Sequence, residues 1–320
     1  MSIFLHILEF NILPIFILIF LGYILSRKFD LNINTLSKLN FYIFVPSFIF
    51  VNLYTADLHM DMLKVFLCAA LLLAVYNFTG TIVAKLRGYN ASLANGFKNS
   101  IMFNNSGNIG LSLITLIFSS APFVVNGKTP YLDTAISAQI MILALQNIST
   151  NTLGFYNLAR ANTSLKACMR KIFSMPTIYA VPLSLILRLV PFDLSTAPGW
   201  PAMVYIKNGL VPVALLTLGV QLAKTSFDWS NKEVYLSVFI RLIAGPVIAV
   251  LFIYIFGFTG VVAQTVLIAY SVPTAVNTAL IAVECGSCQD FAAQAVMLST
   301  LLSTFTLTFA IYAARIIFPV

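Results

Sequence analysis

Asn104-Asn105-Ser106-Gly107-Asn108-Ile109-Gly110 interrupts an apolar stretch, 95–119, near its middle. Three Asn, one Ser and two Gly in seven residues make a poor helix, and the cluster is expensive to place in hydrocarbon. At membrane depth such a sequence is tolerated only where it lines a cavity or packs against protein. Its surroundings are those of a membrane protein: 60% of the 320 residues come from the set AVILMFWYC, 9% are charged, and mean hydropathy is +0.95. A soluble domain carries about 25% charged residues, so this chain lacks the polar surface to coat a globule of its size. A cytoplasmic enzyme, a secreted disulfide scaffold and a disordered chain are excluded on that ground. The net charge of +8 comes from 18 Lys and Arg scattered between apolar runs, which reads as membrane topology and not as a nucleic-acid surface. Cys68, Cys168, Cys285 and Cys288 give no disulfide framework.

A bilayer core about 30 Å thick takes roughly 20 residues of helix. Ten candidate spans follow, at 5–25, 36–55, 62–84, 95–119, 131–155, 172–190, 202–222, 234–256, 260–284 and 290–316. Their continuous apolarity differs from the alternation of barrel strands, so an all-α bundle is expected. No basic leader precedes the first span, which is expected to be an anchor and not a cleaved signal. Loops after odd-numbered spans hold twelve Lys and Arg, the opposite side holds five, and Arg241 lies inside span eight. The positive-inside rule then places both termini on the non-cytoplasmic side of the cytoplasmic (inner) membrane. Arg241 is expected to snorkel toward the cytoplasm on its long stem, or to meet an anion in transit. The chain reads as one transmembrane domain over 1–320, with a first five-helix half at 5–155, a short cytoplasmic linker at 156–171 and a second half at 172–316.

An odd number of spans per half forces the second half to enter the membrane from the opposite side. The sequence carries traces of that duplication. Pro46 in span two and Pro212 in span seven stand at an offset of 166, and the same offset carries Gly107 of span four onto Pro273 of span nine. Lys28-Phe-Asp-Leu31 and Pro191-Phe-Asp-Leu194 match at an offset of 163. Inverted repeats are the usual build of secondary transporters.

Span nine contains the second interruption, Ser271-Val-Pro273-Thr274-Ala-Val-Asn277-Thr278. Pro273 removes a backbone donor and clashes one turn back, while Gly107 and Gly110 tolerate unwound backbone. Pro46, Gly110 and Pro212 are therefore expected structural breaks. When a helix breaks, its second half presents a new N-terminus with unpaired N–H groups and partial positive charge. Two such termini meeting at mid-membrane suit a carboxylate or another anion. The expected substrate-binding residues are Asn104, Asn105, Ser106, Gly107, Asn108, Pro273, Thr274 and Asn277. Ser47, Thr217 and Gln221 fit a bond to a backbone carbonyl as well as a bond to a ligand.

These pieces resemble the auxin efflux carrier family, whose bacterial members include permeases for malate and malonate. The residues that carry the likeness are Asn105-Ser-Gly-Asn-Ile-Gly-Leu-Ser-Leu113, Pro212-Val-Ala-Leu-Leu-Thr-Leu-Gly219 and Pro273-Thr-Ala-Val-Asn277. The resemblance implies ten helices in two inverted five-helix repeats, with helices four and nine broken and crossing at mid-membrane. It also implies a substrate at that crossover in contact with Asn105. One departure is Ser112, where the family usually has Pro, and the central hydrophilic loop of the plant carriers is absent. Bile-acid sodium symporters look similar in architecture, which keeps a sodium-coupled organic-anion symporter as an alternative beside an anion channel.

The expected activity is alternating-access transport of a small organic anion, a mono- or dicarboxylate, with the lipid bilayer as surroundings and a homodimer left open. No cofactor is expected beyond H+ or Na+ as coupling ion, and Glu284 at the end of span nine is the candidate contact for it. A metal site is not expected: Asp57-Leu-His59-Met-Asp61 lacks a fourth ligand, and Cys285-Gly-Ser-Cys288 is a lone pair of thiols. An enzyme would need a nucleophile and base within hydrogen-bonding reach, and no such set is visible in the spans.

Overall fold

The apolar runs are helical, and the helices stop where the sequence turns polar or supplies a breaker. The computed structural model describes residues 5, 7–55, 61–159, 173–174, 176–224 and 230–320. Among them α1 is Leu8–Lys28, α2 runs through Ile33–Leu39, Asn40–Phe44 and Val45–Thr55, and α3 is Asp61–Leu86. After α4 (Ala91–Met102) and α5 (Ser106–Phe118), α6 runs through Leu132–Ser149, Thr150–Gly154 and Phe155–Ala159. The second half supplies α7 (Pro176–Leu187), α8 (Trp200–Ala223), α9 (Lys232–Phe256), α10 (Gly260–Ser271), α11 (Val276–Glu284) and α12 (Gln289–Ile317). No strand occurs among the described residues. Helices α1, α2, α3, α8, α9 and α12 are long and apolar enough to cross a membrane, and α5 and α10 are shorter apolar helices. The chain is a multi-pass membrane protein. Of the expected linker, residues 160–171 lie outside the described residues, while 156–159 continue α6.

Asparagine starts several helices. The side chains of Asn32, Asn90 and Asn231 accept from Thr35 N, Leu93 N and Glu233 N at 3.0, 2.9 and 3.2 Å, each occupying an amide that has no partner inside its helix. Prolines inside helices are handled differently. The turns Leu8–Ile12, Asn40–Phe44 and Ile240–Ala244 are widened to π geometry, and a proline follows two residues later in each, at Pro14, Pro46 and Pro246. The carbonyl that each proline ring crowds, four residues back, lies in the widened turn. Pro46 and Pro212 therefore do not break their helices, contrary to the expectation: Pro46 follows a π turn, and α8 runs without interruption through Pro212.

Two groups of helices result. One is α1, α2, α7 and α8, in which α1 packs on α8 and α2 on both α7 and α8. The other is α3 to α6 with α9 to α12, in which α10 packs on α6, α9 and α12. The crossing of α1 and α8 is backbone on backbone. A Cβ at Gly219 would lie 1.9 Å from Ile19 O, and one at Gly22 would lie 2.1 Å from Leu216 O. Glycine alone fits both positions, the small-residue packing typical of helices in lipid. The buried pair Asn40 Nδ2 to Thr217 Oγ1, 3.0 Å, ties α2 to α8. Thr217 in turn donates to Val213 O at 2.7 Å, which is the backbone role open to it in the sequence.

Candidate functional site

The break between α4 and α5 and the break between α10 and α11 meet. Asn104 and Thr274 form an antiparallel bridge, in which Asn105 N donates to Pro273 O at 2.8 Å and Ala275 N donates to Phe103 O at 2.9 Å. Each unwound segment thus supplies partners for the other, as irregular backbone in a membrane protein requires. The unwinding falls at Phe103 to Asn105, with φ/ψ of −103°/117° at Phe103 and −78°/57° at Asn105. It does not fall on Gly107 or Gly110, as expected from sequence; both lie in the π turn Ser106–Leu111 and neither has a positive φ. Gly110 is required for a different reason, because a Cβ there would lie 2.5 Å from Gln139 Nε2. Gln139 uses that approach to donate to Ser106 O at 3.0 Å. Ser112, the departure from the family pattern, donates back to Asn108 O at 2.6 Å within the helix.

The last carbonyls of α4 can be followed one by one. Ser100 O accepts from Thr274 Oγ1 at 2.9 Å, Ile101 O from Arg241 Nη1 at 3.0 Å, and Met102 O from Gln146 Nε2 at 3.4 Å. At the end of α10, Ala269 O accepts from Asn104 Nδ2 at 2.9 Å, and Tyr270 O accepts from Arg241 Nη2. One guanidinium therefore bridges the C-terminal ends of both half-helices, its planar fork meeting the negative pole of each. Arg241 is 1% exposed and lies 5.4 Å from the centroid of the Tyr76 ring. Tyr76 is itself fixed by donating to Gly245 O at 2.9 Å. The expected snorkelling of Arg241 is overturned: the widened turn Ile240–Ala244 carries it inward, where Nη1 and Nη2 meet one carbonyl each and Nε has no partner among the described residues.

Beyond the bridge, the two second halves begin side by side around a small cavity. Its lining includes Asn104, Asn105, Ser106, Gly107, Asn108 and Asn277 of the expected set, but not Pro273 or Thr274. Pro273 serves through its carbonyl, and Thr274, 0% exposed, through its hydroxyl on Ser100. Asn104 is held at both ends of its amide, by Ala269 O and by the Ser106 hydroxyl, and so fastens the crossing. Asn105 differs: it is 4% exposed and its Nδ2 has no partner among the described residues. A buried amide donor left unsatisfied beside a cavity marks a place for an acceptor. A Cβ at Gly107 would touch only Leu143 Cδ1, at 3.6 Å, so the wall there is open backbone. The free volume is about 30 Å³, room for a water but not for a dicarboxylate.

Helix α6 supplies polar lining residues that sequence reasoning missed, Gln146, Asn147 and Thr150, and Leu143, Ala275 and Val276 make up the rest of the wall. The signal was present in span five as polar residues at helical spacing, Gln139, Gln146 and Thr150. Glu284 ends α11, and its side chain lies outside the described residues, as do Asp57 and His59. A second cavity, about 810 Å³, lies at the other end of α12 between Phe123, Tyr131, Gln264 and Arg315.

Residues 8–162 and 160–311 match a family model described as membrane transport protein. The chain belongs to that family. It is a transporter and not an enzyme. The chain is similar to an "uncharacterized transporter" of Methanothermobacter thermautotrophicus, 26% identical over 303 residues, covering 93% of this chain and 95% of the relative. A protein of Rhizobium meliloti named "putative malonate transporter" is 25% identical over 331 residues, covering 95% of each.

Proposed function

We propose that this transporter is a permease for a small organic anion, a mono- or dicarboxylate of the malonate type, which it moves across the cytoplasmic membrane by alternating access. The observation that carries the reading is the unpartnered Nδ2 of Asn105 in a cavity where α5 and α11 both begin. Their first amides and positive poles point a field of one sign at one place. Asn105, Ser106, Asn108 and Asn277 would supply side-chain donors, with Gly107 leaving backbone open to the carboxylate. The name of the Rhizobium meliloti relative agrees with the substrate class.

The mechanism requires ten spans in two inverted repeats, with α4 and α5 forming one broken span and α10 and α11 the other. Corresponding packing supports this. Packing of α1 on α8 mirrors that of α7 on α2. In this reading the group α3 to α6 with α9 to α12 carries the site and moves against the other group, with both chain termini outside the cytoplasm. Glu284 at the end of α11 is the candidate for contact with a coupling ion, as read from the sequence; where uptake depends on pH or Na+, Glu284→Gln should remove that dependence, and dependence retained in that variant rules the role out.

The test of the site is Asn105→Ala in purified protein and proteoliposomes. Binding of malonate and of short monocarboxylates should be lost while the protein stays folded and monodisperse. Uptake equal to that of the unaltered protein would refute the assignment.

A further inference from the structure

Four helix ends converge at the crossing: the C-termini of α4 at Met102 and α10 at Ser271, and the N-termini of α5 at Ser106 and α11 at Val276. Each C-terminus carries roughly half a negative charge and each N-terminus roughly half a positive charge. Left alone, the four poles cancel at a distance, and the two positive ends would hold an anion weakly. Arg241 changes the sum. Its guanidinium sits on Ile101 O and Tyr270 O, at the two negative ends, and among the described residues no carboxylate pairs with it. The face of the Tyr76 ring lies beside it, 5.4 Å away at the centroid.

We propose that Arg241 is the counter-charge of the transported anion: by neutralising the negative poles it leaves the positive poles uncompensated, so the crossing presents a net charge of about +1 to the cavity. The inference rests on the anion-site reading above. Arg241 does not touch the cavity and is a positioning residue that acts through the helix ends. Its effect is electrostatic and scales with the charge of the ligand, whereas a loss of fit would not.

The experiment compares malonate with its monoamide, malonamate, by calorimetry on purified protein at about pH 8, where carboxylates are fully ionised. In Arg241→Gln, which keeps an amide donor but no charge, affinity should fall about tenfold for malonamate and about a hundredfold for malonate, since Coulomb attraction is linear in ligand charge. Arg241→Lys retains the charge but not the bridging fork, and its malonate-to-malonamate affinity ratio should equal that of the unaltered protein even if both affinities drop. That second variant carries the test if Arg241→Gln fails to assemble. Equal losses for the two ligands in Arg241→Gln, or a collapsed ratio in Arg241→Lys, overturn the inference alone. Failure of the unaltered protein to bind either ligand overturns the anion-site reading and the inference with it.

Discussion

Asn104 and Asn105 are neighbours of one residue type, and the fold gives them different tasks. Asn104 spends its amide on Ala269 O and the Ser106 hydroxyl, so Asn104→Ala leaves a buried carbonyl at the end of α10 without a donor. The expected cost is about 1–3 kcal/mol of stability, read as a lower midpoint of thermal unfolding in detergent, and a midpoint unchanged by the substitution would contradict the role. Asn105→Ala removes a donor that has no partner to lose, so stability should hold while substrate affinity goes. In the sequence both asparagines were legible as polar residues at mid-span. Their division of labour was not, because it depends on which carbonyls from α10, 165 residues away, arrive beside them. Arg241 was misread for the same reason: its partners are Ile101 and Tyr270, which no local pattern around span eight connects.

At the scale of helices, breaks and close crossings govern the arrangement. The polar run in span four and Pro273 in span nine announced both interruptions, since few residues are worse placed in a continuous membrane helix. Pro46 and Pro212 misled, because a widened turn absorbs the first and the helix tolerates the second, and neither compensation has a local signature. The crossing of α1 and α8 permits no Cβ at Gly219, where the opposing atom is backbone and cannot move aside. Gly219→Ala should separate the two helices and destabilise the protein by about 1–3 kcal/mol, visible as a lower unfolding midpoint. A midpoint within error of the unaltered protein would show that the group α1, α2, α7 and α8 is not held by this contact.

For the whole molecule, the two helix groups pack together where α8 meets the first turn of α5 and where α2 and α7 meet α6, and a small polar contact joins them at one end. Asn11 of α1 donates to Ser120 Oγ at 2.9 Å, and its Oδ1 accepts from Arg315 Nη2 of α12 at 3.3 Å. If the groups move against each other, this contact breaks in each cycle. A cross-link between Asn11→Cys and Ser120→Cys, in a background free of other cysteines, should stop uptake when oxidised and restore it when reduced. Full transport in the oxidised state would mean that the groups do not move in that way. The number of apolar runs and their basic loops made the membrane class plain from sequence, whereas the division into two groups emerges only from which faces pack.

The central claim is that the carboxylate sits where α5 and α11 begin. Diffraction from the protein with bromomalonate, whose bromine scatters anomalously, locates it directly. A bromine peak in the Asn105 cavity, with a carboxylate oxygen about 3 Å from Asn105 Nδ2, is the predicted result. A peak instead in the larger cavity beside Phe123 and Arg315, with the Asn105 cavity empty, would contradict the account.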